Sequence, residues 1–259
     1  MFRRLWAFTF LTLLVFVALP SAVFTQEKTP TAEQVAEGVI LFYGSRPELA
    51  HIRRNGVERG RITRATEDGR AEEIAYERRF VRGETVDKDK VRLDQKLPTM
   101  EYSLIYNNGQ TFGIINGATF TPRQDAMQNF LSQQWHDLDT LLRYKENNST
   151  LNLVGKDKQQ GVDLYVLDVT DKDKRRTRFY ISAKKLRVLW LEYEEPSTDG
   201  GAAIKYMKRF YDYRPAQRTL VPFRTVLYEN GKQTQESRIL TVTYGLKMPD
   251  DLFQNPTSG

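Results

Sequence analysis

Only two histidines, His51 and His136, could act as neutral bases or imidazole ligands in this 259-residue chain, which has no cysteine. His136-Asp137-Leu138-Asp139 is the better setting of the two, because residues three apart on a helix share a face and could grip a cation together. Two ligands fall short of a metal site, and the sequence offers no third beside them. A helical histidine among acids is read instead as a surface residue. The acidic pairs Glu194-Glu195 and Asp250-Asp251 are adjacent in sequence, so they read as solvated turns and not as carboxylates flanking one bond. There is no Gly-rich phosphate loop, no Gly-X-Ser-X-Gly elbow and no His-Glu-X-X-His. Gly109-Gln110-Thr111-Phe112-Gly113 lacks the lysine and the helix that a phosphate loop requires. The sequence therefore predicts neither an enzyme nor a cofactor nor a metal.

What the chain has in quantity is aromatic surface, 12% of its residues, concentrated in segments that read as strands. Tyr102, Leu104 and Tyr106 fall on one strand face, Trp190 lies between Val188 and Glu192, and Tyr206, Phe210, Tyr211 and Tyr213 crowd a single strand. Most of these must be core. Some suit a cavity rim, since tyrosine and tryptophan tolerate one apolar and one wet side. With the apolar stripe of a helix described next, the candidate ligand-binding residues are Tyr102, Leu104, Tyr106, Phe130, Trp135, Leu138, Trp190 and Phe210.

Two helices would position them. Thr31 followed by Gln34 makes a capping box, Val35, Val39 and Phe42 recur on one face, and the helix should stop near Gly44, before Pro47. The second starts at Thr121-Pro122-Arg123-Gln124 and carries Met127, Phe130, Leu131, Trp135, Leu138, Leu141 and Leu142, an amphipathic stripe that must lie on something apolar. Asn147 and Asn148 read as a polar turn after it. About twelve strands account for the rest, five over 56–116 and seven over 150–244, with Asn108-Gly109 and Asn230-Gly231 as hairpin turns. The fold class is mainly β, a strongly curved antiparallel sheet forming an incomplete barrel covered by helices, and a loose fit beneath the helices would leave a concave apolar site. The mixed run Asp171–Arg176 reads as a solvated hairpin tip, and Arg53, Arg54, Arg59, Arg61 and Arg64 as a charged outer face that could meet anionic headgroups or a carboxylate partner.

Arg3 and Arg4, the apolar run Leu5–Leu19, and then Pro20, Ser21 and Ala22 have the order of a secretory signal, expected over residues 1–25. Carried on to Phe24 the run reaches about 20 residues and would also suit an uncleaved anchor. Residues 26–259 then form a single domain of ordinary size for an all-β fold, expected to be a periplasmic monomer. Removing Arg3 and Arg4 without any acid lowers the formal charge from +6 to +4, too mild for a nucleic-acid binder. The lack of cysteine excludes disulfide staples and a lipid-modified cysteine, and it favours a bacterial periplasm over a eukaryotic cell surface.

The carboxyl-terminal third carries a more specific cadence. Lys208-Arg209-Phe210-Tyr211-Asp212-Tyr213, Leu220-Val221-Pro222-Phe223, the Asn230-Gly231 turn, Thr241-Val242-Thr243-Tyr244 and the closing Phe253-Gln254-Asn255-Pro256 resemble the outer-membrane lipoprotein carrier superfamily, LolA-like proteins. The resemblance covers about residues 175–256; Arg218, and Ser182-Ala183-Lys184-Lys185 at a strand turn, depart from its usual pattern. It implies a half-barrel lidded by helices that holds the acyl chains of a lipoprotein or another amphiphile, without cofactor or catalysis. The alternative it leaves open is a sensor or scaffold of the same fold that binds an envelope protein, with Arg53–Arg64 as the interface.

Overall fold

The computed structural model describes residues 29–65, 69–97, 99–197 and 200–255, so the expected signal over 1–25 lies outside the described residues. The first helix, α1 (Ala32–Tyr43), begins with the expected capping box: Thr31 Oγ1 accepts from Gln34 N at 3.2 Å and Gln34 Oε1 accepts from Thr31 N at 2.8 Å. Its buried arc centres on Ala36, Val39 and Tyr43, so Phe42 falls at the margin and is exposed. Gly44 ends the helix at φ 136°, a conformation that favours glycine. Pro47 then helps to start an unexpected helix, α2 (Arg46–Ile52), because a missing N–H costs nothing in a first turn.

Thirteen strands follow among the described residues. The first six are β1 (Asn55–Ala65), β2 (Ala71–Val81), β3 (Lys90–Lys96), β4 (Glu101–Asn107), β5 (Gln110–Ile115) and β6 (Ala118–Phe120). After α3 (Gln124–Trp135) and α4 (Leu138–Leu142) come β7 (Thr150–Gln159), β8 (Val162–Thr170), β9 (Arg176–Ser182) and β10 (Val188–Glu195). The last three are β11 (Ile204–Ala216), β12 (Thr219–Glu229) and β13 (Lys232–Tyr244). All lie in one sheet of order β6-β5-β4-β3-β2-β1-β13-β12-β11-β10-β9-β8-β7, and every pairing is antiparallel. Two meanders, β1–β6 and β7–β13, are thus stitched together by β1 against β13. Because β6 and β7 are the two opposite edges, the chain between them has to cross the sheet. Sheets this wide curl, and this one curls beneath α3 and α4 without closing.

The sequence expectation of twelve strands missed β6, three residues after the Asn116-Gly117 turn. β7 is longer than its apolar residues Leu151, Leu153 and Val154 suggest. The strand runs on through Lys156-Asp157-Lys158-Gln159, where charge on an exposed edge guards against pairing with another chain. The second helix differs more. Arg123, not Thr121, occupies the N-cap, without a side-chain cap bond, and the helix breaks at His136. Asp137 and Thr140 form a capping box of their own there and start α4.

That break divides the apolar stripe between two cores. Leu138, Leu141 and Leu142 of α4 join α1 over Leu167, Phe179, Ile181, Leu191 and Phe210. Phe130 of α3 instead joins Phe80, Val91, Leu104, Tyr106, Val221 and Tyr244 at the other limb of the sheet.

Candidate functional site

Between α3 and the concave face lies a hollow of about 210 Å³. Strand register dictates its lining. Side chains alternate along a strand, so Glu58, Gly60, Ile62 and Arg64 of β1 point to one face, and each heads a row across the sheet. Glu58 is opposite Arg78, then Leu93 and Leu104; Gly60 is opposite Tyr76, then Gln95 and Tyr102. In the other direction Ile62 leads to Ser237 and Thr225, and Arg64 leads to Gln235, Leu227 and Lys208. Gly60 is needed in its row: a Cβ there would lie 2.7 Å from the Tyr76 ring and would clash with Arg238 O.

The rows mix apolar and charged groups. Lys208 is 5% exposed, donates from Nζ to His136 O at 3.0 Å and lies 3.8 Å from Asp137 Oδ1. Burial pushes its ammonium below the usual lysine range, Asp137 opposes the shift, and Arg78 adds to it. From the opposite limb Arg78 Nη2 donates to Gln134 Oε1 at 2.9 Å, while Arg64 Nε donates to Gln235 Oε1 at 3.2 Å. Tyr76 OH donates to Glu58 Oε1 at 2.5 Å, and burial, then Glu58, pushes the phenol well up. Cations from β2 and β11 therefore reach across the hollow to the same end of α3.

Of the residues singled out from sequence, Tyr102, Leu104 and Phe130 line this hollow together. Tyr106 packs beside them in the core and donates to Asp87 O at 3.1 Å. Trp135 ends α3 beneath the Arg175 guanidinium, 4.0 Å from its ring centre. Leu138 and Phe210 belong to the other core. Trp190 pairs with Arg209 and so points away from the face shared by Lys208 and Phe210; it stacks on Tyr180 at 4.4 Å. Lys208, Arg78, Gln95 and Arg64 were not singled out for the hollow, although a polar residue at period two within an apolar strand face, as in Tyr206-Lys208-Phe210 or Val91-Leu93-Gln95, was the available signal.

The arginine segment is not a uniform outer face. Arg59 and Arg61 do pair outward, with Glu77 and Glu73, but Arg64 faces the hollow and Arg53 is largely buried against Asp139. Nor is the Asp171–Arg176 tip simply solvated, since Arg175 folds back over Trp135 and pairs with Asp171.

His136 is buried rather than superficial, at 1% exposure. Its Nδ1 is 2.7 Å from Thr177 Oγ1 of β9, its Nε2 is 3.2 Å from Glu195 Oε1 of β10, and its ring stacks on Tyr193 at 4.0 Å. Glu195 is therefore a partner of the α3–α4 junction and not a solvated turn. Burial holds the imidazole below the ordinary value of 6.5; Glu195 opposes this, and Lys208 of β11 and Arg175 add to it. The unfolded chain takes up this proton as pH falls through about 6.5, while the fold resists it, so stability present above that value is lost on going lower. Urea midpoints should fall from pH 7 to pH 5, and His136→Gln should flatten that fall. Parallel pH slopes in the two proteins would refute the assignment. His136 and Asp139 do not face each other across a common site, since the imidazole meets Thr177 and Glu195 while Asp139 pairs with Arg82.

No known protein family matches the sequence, and no curated protein does. The fold is another matter. It resembles that of a LolA superfamily protein from Nitrosomonas europaea, with a TM-score of 0.60 and 12% identity over 88% of this chain and 99% of that one. A candidate outer membrane lipoprotein-sorting protein domain from Vibrio parahaemolyticus gives 0.59 and 10%, covering 86% of this chain and 95% of the other. A DUF1329 family protein from Desulfovibrio piger gives 0.61 and 10%, covering 88% and 99%. The architecture is thus a LolA-like open half-barrel. The likeness read from the last third of the sequence extends through the fold of most of the chain.

Proposed function

We propose that this is a periplasmic, non-enzymatic carrier or binding protein whose ligand is an amphiphile held between α3 and the concave sheet. The observation that carries this reading is a helix over unfilled space: of the twelve residues of α3 only Phe130 and Ser132 are buried, and the hollow lies beneath Phe130 and the face that carries Ala126, Asn129, Gln133 and Gln134. At about 210 Å³ the hollow is smaller than the ~300–1,000 Å³ of typical ligand pockets, so an acyl chain would enter by displacing α3. A chain entering there would lie on Ile62, Leu93, Leu104 and Phe130. The LolA-like fold supports a carrier, and lipoprotein acyl chains are the finer form of the proposal. A cleaved signal over 1–25, one working unit over 26–259 and a monomeric state belong to the same reading. No helix among the described residues is long and apolar enough to cross a membrane. Docking of an envelope protein through Arg53–Arg64 is less well supported, because Arg53 and Arg64 turn inward and Arg59 and Arg61 are already paired.

The test is uptake of an environment-sensitive fatty-acid probe by the mature protein, with native mass spectra of the protein as isolated. A saturable fluorescence rise is expected. Linear, unsaturable uptake together with lipid-free spectra would remove the proposal.

A further inference from the structure

We infer that the hollow takes an anionic amphiphile, with a phosphate or carboxylate headgroup seated on Lys208 and Arg78 and its chain over Leu93, Leu104 and Phe130. This rests on the proposed reading of the hollow as a ligand site and adds the chemistry of the ligand. Positive charge at the hollow is incompletely matched. Elsewhere in the fold arginines meet carboxylates: Arg79 pairs with Asp94, Arg82 with Asp139, Arg143 with Asp89 and Arg178 with Asp168. Inside the hollow the close hydrogen-bond partners are neutral, and the carboxylate paired with Lys208, Asp137, stands off at 3.8 Å. Arg78 bonds to the Gln134 amide and lies 4.9 Å over the Phe80 ring, and Lys208 bonds to a backbone carbonyl.

An ammonium has three donors, and Lys208 has one close acceptor, with Asp137 no nearer than 3.8 Å. Gln95 adds another unspent donor to the wall: Oε1 accepts from Tyr102 OH, whereas buried Nε2 has no partner among the described residues. The two carboxylates at the hollow are already engaged, Glu58 by Tyr76 OH and Asp137 by Leu138 N at 2.7 Å. Donors and positive charge thus exceed acceptors where α3 ends. Buried polar groups in native proteins are paired, and an oxyanion supplies several acceptors together with the missing charge.

Displacement of the fatty-acid probe below micellar concentrations tests this with three competitors. They are a lysophosphatidic acid, the monoacylglycerol of the same chain length, and inorganic phosphate alone. The phosphate monoester should compete at about tenfold lower concentration than the neutral glyceride, the scale of one charge-assisted bond. Lys208→Met and Arg78→Gln should each erase most of that preference, weakening the phosphate monoester and the carboxylate probe far more than the glyceride; circular dichroism and an unchanged urea slope confirm that each variant folds. Equal competition by the two lipids would overturn the headgroup assignment while leaving the hollow as a lipid site. Competition by inorganic phosphate at the concentrations that suffice for the lipid would overturn the amphiphile in favour of a free oxyanion site. Failure of the probe itself to bind would remove both inferences.

Discussion

Replacing Asp139 by asparagine is expected to lower folding stability by about 3–5 kcal/mol, the cost of stranding buried charge. Asp139 sits in the first turn of α4, where it pairs with Arg82 and lies 3.7 Å from Arg53 Nη2. Both guanidiniums are largely out of water, Arg82 near the Phe80 ring and Arg53 near that of Tyr244. Nε and Nη1 of Arg53 and Nε of Arg82 have no hydrogen-bond partner among the described residues, and Asp139 is the carboxylate that stands close to both guanidiniums. Burial already pushes Arg82 down to about 10, with Asp139 opposing and Arg53 and Arg143 adding to the shift. Without the carboxylate the opposing charge left is Asp89, which is already paired with Arg143. Urea denaturation of the variant should show the loss as a lower midpoint at unchanged slope. Substituting Arg82→Met in the same chain should recover part of it, because a charge no longer present needs no partner. A loss below 1 kcal/mol in the single variant would show that water, and not Asp139, satisfies these arginines.

The strands, their turns and the curved, helix-covered sheet were legible because alternation and turn residues are local signals, and Asn108-Gly109 and Asn230-Gly231 adopt the positive φ their chemistry suggests. The hollow was less so. Leu104 and Phe130 could be read as apolar residues facing inward, but which two elements would face each other depended on β1 pairing with β13, a contact between the ends of the chain. The inward charges were hidden for a related reason. Lys208 reads as one more basic residue beside Arg209 until the register places it on the inner face of the sheet, at the hollow, and sends Arg209 to the outer face with Trp190. His136 was misread in the same way. On a continuous helix it would have faced solvent beside Asp137, but the capping box at Asp137 and Thr140 breaks the helix and turns the imidazole onto Tyr193.

The same break makes the last prediction a sharp one, since it leaves α3 without the leucines that anchor α4. Phe130→Ala should make the amides of α3 exchange with solvent on the order of 100-fold faster, while those of β8, β9 and β10 keep their protection. Truncating a buried phenylalanine costs about 3–5 kcal/mol, and 1.4 kcal/mol is a factor of ten, so even the lower figure corresponds to that acceleration. The loss should stay local. Phe130 packs with Phe80, Leu104 and Tyr244, whereas β8–β10 are held by the separate core under α1 and α4. What then remains on α3 is the partly buried Leu131, buried Ser132, Trp135 beneath Arg175, and the bonds from Arg78 to Gln134, from Gln128 to Pro196 O and from Lys208 to His136 O, mostly polar contacts that water can replace. Hydrogen exchange read by mass spectrometry separates the two halves directly. Unchanged protection of residues 124–135 in the variant would mean that the polar bonds hold the lid, and that a ligand must break them before α3 can lift.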